Sequence, residues 1–258
     1  MIFKALSEIQ FNNQSCALCT IVRAQGSTPR HVGSKMVVYP DGRIIGTIGG
    51  GELESRVINE ALAVIKSGNP LMLEYQMTDP KLGDPGVCGG SLEVFVDPIK
   101  PKPKLIIVGV GHVGRAVAHL AKWLGFFVVV TDDRPEFCTA ELVPGADEFF
   151  PIPFSEFADN IDVTPWTYFV LTTRNVDVDI QGLPAIIKSP AAYIGIIGSK
   201  RRWQTTKQKL LEKGFTQNDL EAIKSPIGLD LNAETPEEIA VSILAEIILL
   251  RRGESIKS

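Results

Sequence analysis

The sequence predicts an α/β chain in two parts. A smaller α+β domain is followed by a doubly wound domain whose parallel sheet carries helices on both faces. Three observations carry this expectation. From Lys104 onward, short apolar runs of strand length alternate with amphipathic segments of helical spacing, the pattern of parallel strands joined by crossover helices. The first of those runs passes into a helix through a glycine-rich turn, "VGVGHVG". Ahead of it, "DPIKPKPK" interleaves proline with lysine, which suits an extended connector and forbids a helix. The expected division is residues 1–97, a connector over 98–104, and residues 105–258.

The first domain opens with a helix and continues with β-patterned runs, "SCALCTIVRAQG", "SKMVVYP", "GRIIGTIGG" and "LMLEYQM", with "PDG" as a turn. Its clear amphipathic helix is "ELESRVINEALAVIKSG", with Leu53, Val57, Ala61, Val64 and Ile65 on one face. "GSLEVFVDP" closes it as a strand. In the second domain "KLIIV", "FFVVVT", "TYFVLTT" and "YIGIIGS" read as buried strands. "VGRAVAHLAKWLG", "KRRWQTTKQKLLEKG" and "PEEIAVSILAEIILLRRG" read as helices that stop at glycine. The last begins with Thr235, Pro236 and Glu238 at the N-cap, N1 and N3 positions, a capping box with proline where its missing N–H costs nothing.

The chain has 258 residues, 45% hydrophobic, with 26 basic and 30 acidic side chains and a formal charge of −4. That balance argues against a nucleic-acid partner, which calls for a basic surplus. The N-terminus lacks the basic start and apolar core of an export signal. The longest apolar stretch, "IAVSILAEIILL", is interrupted by Glu246 and falls short of the roughly 20 residues a spanning helix needs. A cytoplasmic protein without membrane contact is expected. The four cysteines, Cys16, Cys19, Cys88 and Cys138, are too few for a disulfide framework. Cys16 and Cys19 form a C-x-x-C inside a β-patterned run, where residues three apart point to opposite faces. They read as packed strand residues rather than as a metal or redox pair.

Five stretches are candidates for chemistry. Gly109, Gly111 and Gly114 form G-x-G-x-x-G between a strand and a helix, and Asp132 ends the next strand about twenty residues on, where a ribose-binding acid belongs. This is a Rossmann-like turn. It binds a nucleotide phosphate, or it is the tight first crossover of an α/β domain. His112 lies inside it, as a structural or pocket residue. In "GTIGGGELE", Gly49, Gly50 and Gly51 run straight into the amphipathic helix that opens with Glu52. Such a turn offers free backbone N–H groups to an anion or a polar heterocycle, or serves as a close strand-to-helix turn. Cys88 is followed by Gly89 and Gly90, and an accessible thiol there is a candidate soft ligand for a metal or sulfur. Arg30, in "GSTPRHVGSKM", is a candidate anion clamp or a solvated surface cation. Ser199 ends a strand and Arg201 lies in the basic start of the next helix, where a bound phosphate would relieve the conflict with the helix dipole.

Taken together, "GSTPRHVGSKM", "GTIGGGELE", "CGGSLEVFVDP", "GVGHVGRAV", "YIGIIGSKRR" and "SPIGLDLNAETPEEIAVSILAEI" resemble the XdhC/CoxI family, in the same order and over nearly the whole chain, from about Ala17 to Arg252. The resemblance implies an N-terminal XdhC/CoxI domain and a C-terminal Rossmann domain. It implies an accessory protein, more chaperone than enzyme. Such a protein binds the molybdenum cofactor (molybdopterin), holds it while a cysteine desulfurase supplies a terminal sulfido ligand, and passes it to an apo molybdenum hydroxylase of the xanthine dehydrogenase type. Self-association as a homodimer is also implied. On this reading Cys88 meets the metal or sulfur end of the cofactor, Gly49–Gly51 and Arg30 hold its polar parts, and the Gly109 turn with His112 faces it as a support or regulatory nucleotide site. Two departures stand out. Many relatives carry a cysteine where this chain has Gly51, and a histidine within the stretch that reads "TTRNVDVD" here. Two alternatives use the second domain: an NAD(P)-dependent oxidoreductase, and a binding module in which a nucleotide controls release of cargo.

Overall fold

The computed structural model describes residues 1–77 and 89–253. The chain gathers into two compact units, Met1–Pro101 and Lys102–Ser258.

The first unit runs α1 (Ile2–Phe11), β1 (Cys16–Gln25), β2 (Lys35–Val38), β3 (Ile44–Gly46), α2 (Gly51–Ser67), β4 (Leu71–Gln76) and β5 (Ser91–Ile99). The strands form an antiparallel sheet in the order β3-β2-β1-β5-β4. Strand alternation gives the sheet two apolar faces. Helix α2 covers one, setting Leu53, Val57, Ala61 and Val64 against Cys19, Ile21, Met36 and Val94. Helix α1 covers the other, where Ile9 meets Cys16 and Val37. Cys16 and Cys19 therefore lie in separate clusters, as their spacing on a strand requires. Burial pushes their thiols up to about 11 and about 12.

The proline–lysine stretch is more ordered than its composition suggests. Pro98 and Ile99 belong to β5, paired with Ala17 and Cys16, and Lys104 already opens the next strand. Strand β4 stops pairing with β5 at Val96. Beyond that point β5 has a partner on one side only, and a proline is tolerated there.

The second unit runs β6 (Lys104–Val108), α3 (His112–Trp123), β7 (Phe127–Thr131), β8 (Glu148–Phe150), α4 (Phe154–Asn160), β9 (Thr167–Leu171), α5 (Val176–Ile186), β10 (Tyr193–Ile196), α6 (Lys200–Glu212), α7 (Gln217–Glu221), β11 (Ile223–Lys224) and α8 (Pro236–Arg252). Every pairing is parallel, in the order β11-β10-β9-β6-β7-β8. This is the doubly wound order of dinucleotide-binding sheets, and it reverses direction between β6 and β9. Helices α3 and α8 share one face, where Val117, Ala118 and Ala121 meet Ile243, Leu244 and Ile247. Helices α4, α5 and α6 cover the other. Burial on both faces explains why all five residues of β9, "TYFVL", are inside. The capping box of α8 is formed as its sequence predicts: Glu238 N–H donates to Thr235 Oγ1 at 3.2 Å, and Thr235 N–H donates to Glu238 Oε2 at 3.0 Å.

Candidate functional site

In the first unit three glycine-rich segments that are far apart in sequence converge. A Cβ added to Gly90 would lie 2.3 Å from the Ser27 carbonyl and 2.5 Å from that of Gln25, and one added to Gly49 would lie 2.7 Å from the Pro29 ring. Glycine is thus required where "GSTPR" packs on Gly89–Gly90 and on the triple-glycine turn. The ends of the neighbouring hairpin are fixed at the same place: Met77 N–H donates to the Gly90 carbonyl at 2.9 Å, and Gly89 N–H to the Met77 carbonyl at 2.7 Å. Among the described residues the outward faces of this cluster are open: a Cβ at Gly50, Gly51 or Gly89 would meet none of their atoms within 4 Å.

The triple-glycine turn is not the bare amide cradle its sequence suggests. Glu54, one turn into α2, folds back so that Oε2 accepts from Thr47 Oγ1 at 2.5 Å, from Ile48 N–H at 3.2 Å and from Gly50 N–H at 3.3 Å. Gly49 N–H donates to Thr47 Oγ1 at 3.1 Å. The expectation that Gly49 and Gly50 offer free donors is corrected: the Thr47 hydroxyl takes the first and the Glu54 carboxylate the second, in the place an anion would take. What stays open is the first turn of α2 from Gly51 on, whose N–H groups have no intrahelical acceptor and whose N-cap, Gly50, supplies none. Glu52 is exposed and bonded to Arg56 at 2.6 Å. Arg30 is exposed beside Pro29, and its carbonyl accepts from Thr28 Oγ1 at 2.9 Å. Cys88 lies outside the described residues. Among those described, no group of three or more His, Cys, Asp or Glu side chains is placed to hold a metal ion.

In the second unit each glycine of the turn has its own task. Gly109 adopts φ +92°, and a Cβ there would lie 2.8 Å from the Thr172 carbonyl. A Cβ on Gly114 would lie 2.1 Å from the Gly109 carbonyl, so this glycine lets α3 close on the strand. Gly111 faces open space, as a backbone approached by a ligand must. Asp132 is placed as expected at the end of β7, but its carboxylate is turned inward. Oδ2 accepts from Val110 N–H at 2.8 Å and from an Arg134 Nη at 2.9 Å, while Oδ1 accepts from the Arg134 N–H and Nε at 3.0 and 2.9 Å. Its role as a free ribose acceptor does not follow from this geometry, because the guanidinium two residues on already fills it.

His112 opens α3 and is exposed, at the edge of a cavity of about 520 Å³ lined also by His119, Leu142 and Val241. Ser199 caps α6, accepting from Arg202 N–H at 3.2 Å, so its hydroxyl is used within the fold. Arg201 is exposed. The guanidinium that turns inward is its neighbour, Arg202, which donates to the Thr173 carbonyl and hydroxyl and to Asp179 Oδ2 at 2.8, 2.6 and 2.7 Å. Asp179 is fully buried and also accepts from Thr173 Oγ1. Burial pushes its carboxyl above the ordinary range, against the pull of those two donors.

Both halves of the chain match a known family. Residues 10–76 match the XdhC and CoxI family, and residues 105–247 match the XdhC Rossmann domain. The chain belongs to the XdhC/CoxI family. Three similar proteins illustrate the match. A Bacillus subtilis protein named as one of the probable subunits of xanthine dehydrogenase is 36% identical over 159 residues, 62% of this chain and 46% of that protein. The molybdenum cofactor insertion chaperone PaoD of Escherichia coli is 23% identical over 281 residues, 97% of this chain and 88% of that protein. A solved structure described as a xanthine dehydrogenase from Bacillus halodurans shares the fold, with a TM-score of 0.54 and 24% identity over 99% of this chain and 97% of that one. The chain spans about half the length of the first curated relatives it matches, 46% of each. None of its described helices is long and apolar enough to cross a membrane.

Within this XdhC/CoxI chain, sequence reasoning reached the glycines and missed their partners. Glu54, Arg134, Arg202 and Asp179 were all visible as charged residues near the motifs. Only Glu54 carried a local signal: an acid in the first turn of a helix that follows a glycine run, where a carboxylate finds backbone N–H groups.

Proposed function

We propose that this chain is an accessory protein that binds the molybdenum cofactor, holds it while a cysteine desulfurase supplies the terminal sulfido ligand, and delivers it to an apo molybdenum hydroxylase of the xanthine dehydrogenase type. The observation that carries the reading is the convergence in the first unit of Gly26–Arg30, the triple-glycine turn and Gly89–Gly90, in a chain of the XdhC/CoxI family. The cofactor is the cargo here, an anionic pterin with a phosphate and a dithiolene-bound metal. Open backbone at Gly50, Gly51 and Gly89, the first-turn N–H groups of α2 and the exposed Arg30 suit its polar and anionic parts. Cys88 is the proposed contact for the metal or sulfur end. The name of PaoD supports cofactor insertion, and the name of the Bacillus subtilis relative supports a xanthine dehydrogenase client.

Purification from a molybdenum-replete host, followed by metal and pterin analysis, tests this. The wild-type chain is expected to retain both, Arg30→Ala and Cys88→Ala to retain less, and the apo-hydroxylase to gain activity only with the loaded wild type. A chain that carries neither pterin nor molybdenum sinks the reading. Retention and activation unchanged in Cys88→Ala would remove that residue from it. A homodimer is part of the proposal, and sedimentation of the purified chain tests it.

A further inference from the structure

The second unit carries a crevice that the cofactor reading does not use. It lies at the carboxyl ends of β6, β7 and β9, beside the strand-order reversal, and the start of α4 forms its far wall. In open α/β sheets this is where nucleotides bind. As it stands the crevice measures about 50 Å³, room for a few waters and too little for a purine. An ion pair joins two of its walls. Arg174, just after β9, donates both terminal nitrogens to Asp133, just after β7, at 2.6 and 2.6 Å. The side chains are 46% and 33% exposed, and an ion pair so exposed holds loosely.

The walls also select a chemistry. The position that accepts a ribose hydroxyl in such folds is Asp132, and both of its oxygens are filled by Val110 and Arg134. Two guanidiniums remain at the rim. Arg134 is 34% exposed and stacks 4.2 Å from the Phe137 ring centroid, and Arg174 is paired with Asp133. In doubly wound folds an arginine near this position accommodates a phosphate on the ribose.

We propose that this crevice binds an adenosine nucleotide phosphorylated on its ribose, of the NADP type, and that the ribose phosphate displaces Asp133 from Arg174 as it enters. The exchange trades one charge-assisted pair for another, so the opening costs little. The inference goes beyond the cofactor reading and does not depend on it, since a chain that carries no pterin still binds or fails to bind the nucleotide.

Isothermal calorimetry on the whole chain decides it, with NADP⁺, NAD⁺, adenosine 2′,5′-bisphosphate and AMP as probes. NADP⁺ and the bisphosphate are expected to bind at least about tenfold tighter than NAD⁺ and AMP, as one charged contact implies. Asp133→Asn is expected to tighten NADP⁺ about tenfold and Arg174→Gln to weaken it by a similar factor. Asp177→Asn removes a nearby acid that pairs with Lys209 instead and is expected to change nothing. Equal affinity for NADP⁺ and NAD⁺ overturns the proposal. So does a gain from Asp177→Asn as large as that from Asp133→Asn, or no binding of any probe at millimolar concentration.

Discussion

The two glycine-rich turns look alike in sequence and are completed differently. Each follows a strand, opens a helix and presents backbone N–H groups at that helix's start. In the first unit the turn is closed locally: Glu54, on the helix the turn opens, folds back onto Thr47, Ile48 and Gly50. In the second it is closed from a distance. Asp132, at the end of the neighbouring strand, takes only Val110 N–H and is itself tied to Arg134. The local solution occupies the donors of the turn proper and leaves the helix end. The distant one leaves Gly111 bare. Composition shows where a phosphate-type turn lies, and the carboxylate that answers it decides how much of the turn remains for a ligand.

Substitutions can break or sharpen this contrast. The largest effects are expected at the glycines whose space is filled. Gly114→Ala and Gly90→Ala place a Cβ within 2.1 and 2.3 Å of a backbone carbonyl, and each is expected to cost about 3 kcal/mol in denaturant unfolding. Next is Glu54→Ala, which leaves two loop N–H groups and a hydroxyl without their acceptor and is expected to cost about 2 kcal/mol. A loss within error would show that the local closure does not stabilise the turn. Smaller again are two of the open glycines, one from each turn. Gly51, at φ +64°, is expected to lose about 1 kcal/mol on Gly51→Ala from left-handed strain alone. Gly111→Ala, at φ −68°, is expected to lose about 0.5 kcal/mol, the preference of an N-cap for glycine over alanine. Thermal melts of the pair read that order directly.

The smallest effect belongs to Asp133. The Arg174 guanidinium hydrogen-bonded to it holds its carboxyl below the ordinary 3.8. A lowered pKa in the folded chain means that the contribution to stability is present at neutral pH and is lost as pH falls below that range. Asp133→Asn is therefore expected to shift stability by no more than about 0.5 kcal/mol at pH 7, with the difference from wild type vanishing in strong acid. A difference that grows on acidification would reverse the sign of this argument.

Much of the fold was legible because it rests on local pattern. The uninterrupted apolar runs of β6, β7 and β9, the spacing of α2 and the Thr235–Glu238 box each follow from a few neighbouring residues. Strand order did not, nor did the short β8, whose three residues carry no periodicity. Of the candidate site, Gly109 and Gly114 were readable because only glycine meets their steric constraints, and Gly111 because it completes the motif's spacing. The fates of Asp132, Ser199 and Arg201 were not. Whether a carboxylate or guanidinium faces a ligand or a neighbour depends on side chains that the sheet brings together, such as Asp133 with Arg174, 41 residues apart.

The reciprocal bonds between Met77 and Gly89–Gly90 have a consequence for how such chains diversify. They fix both feet of the β4–β5 connection on the sheet, and the crowding around Gly90 resists a slip of register there. Chain length between those feet is thereby separated from the core beneath. Inserting or deleting residues between them changes only the entropy of closing one connection, a slow logarithmic cost, and leaves the packing of α2 on the sheet alone. A segment of different length grafted between these two anchors should find its footing already built.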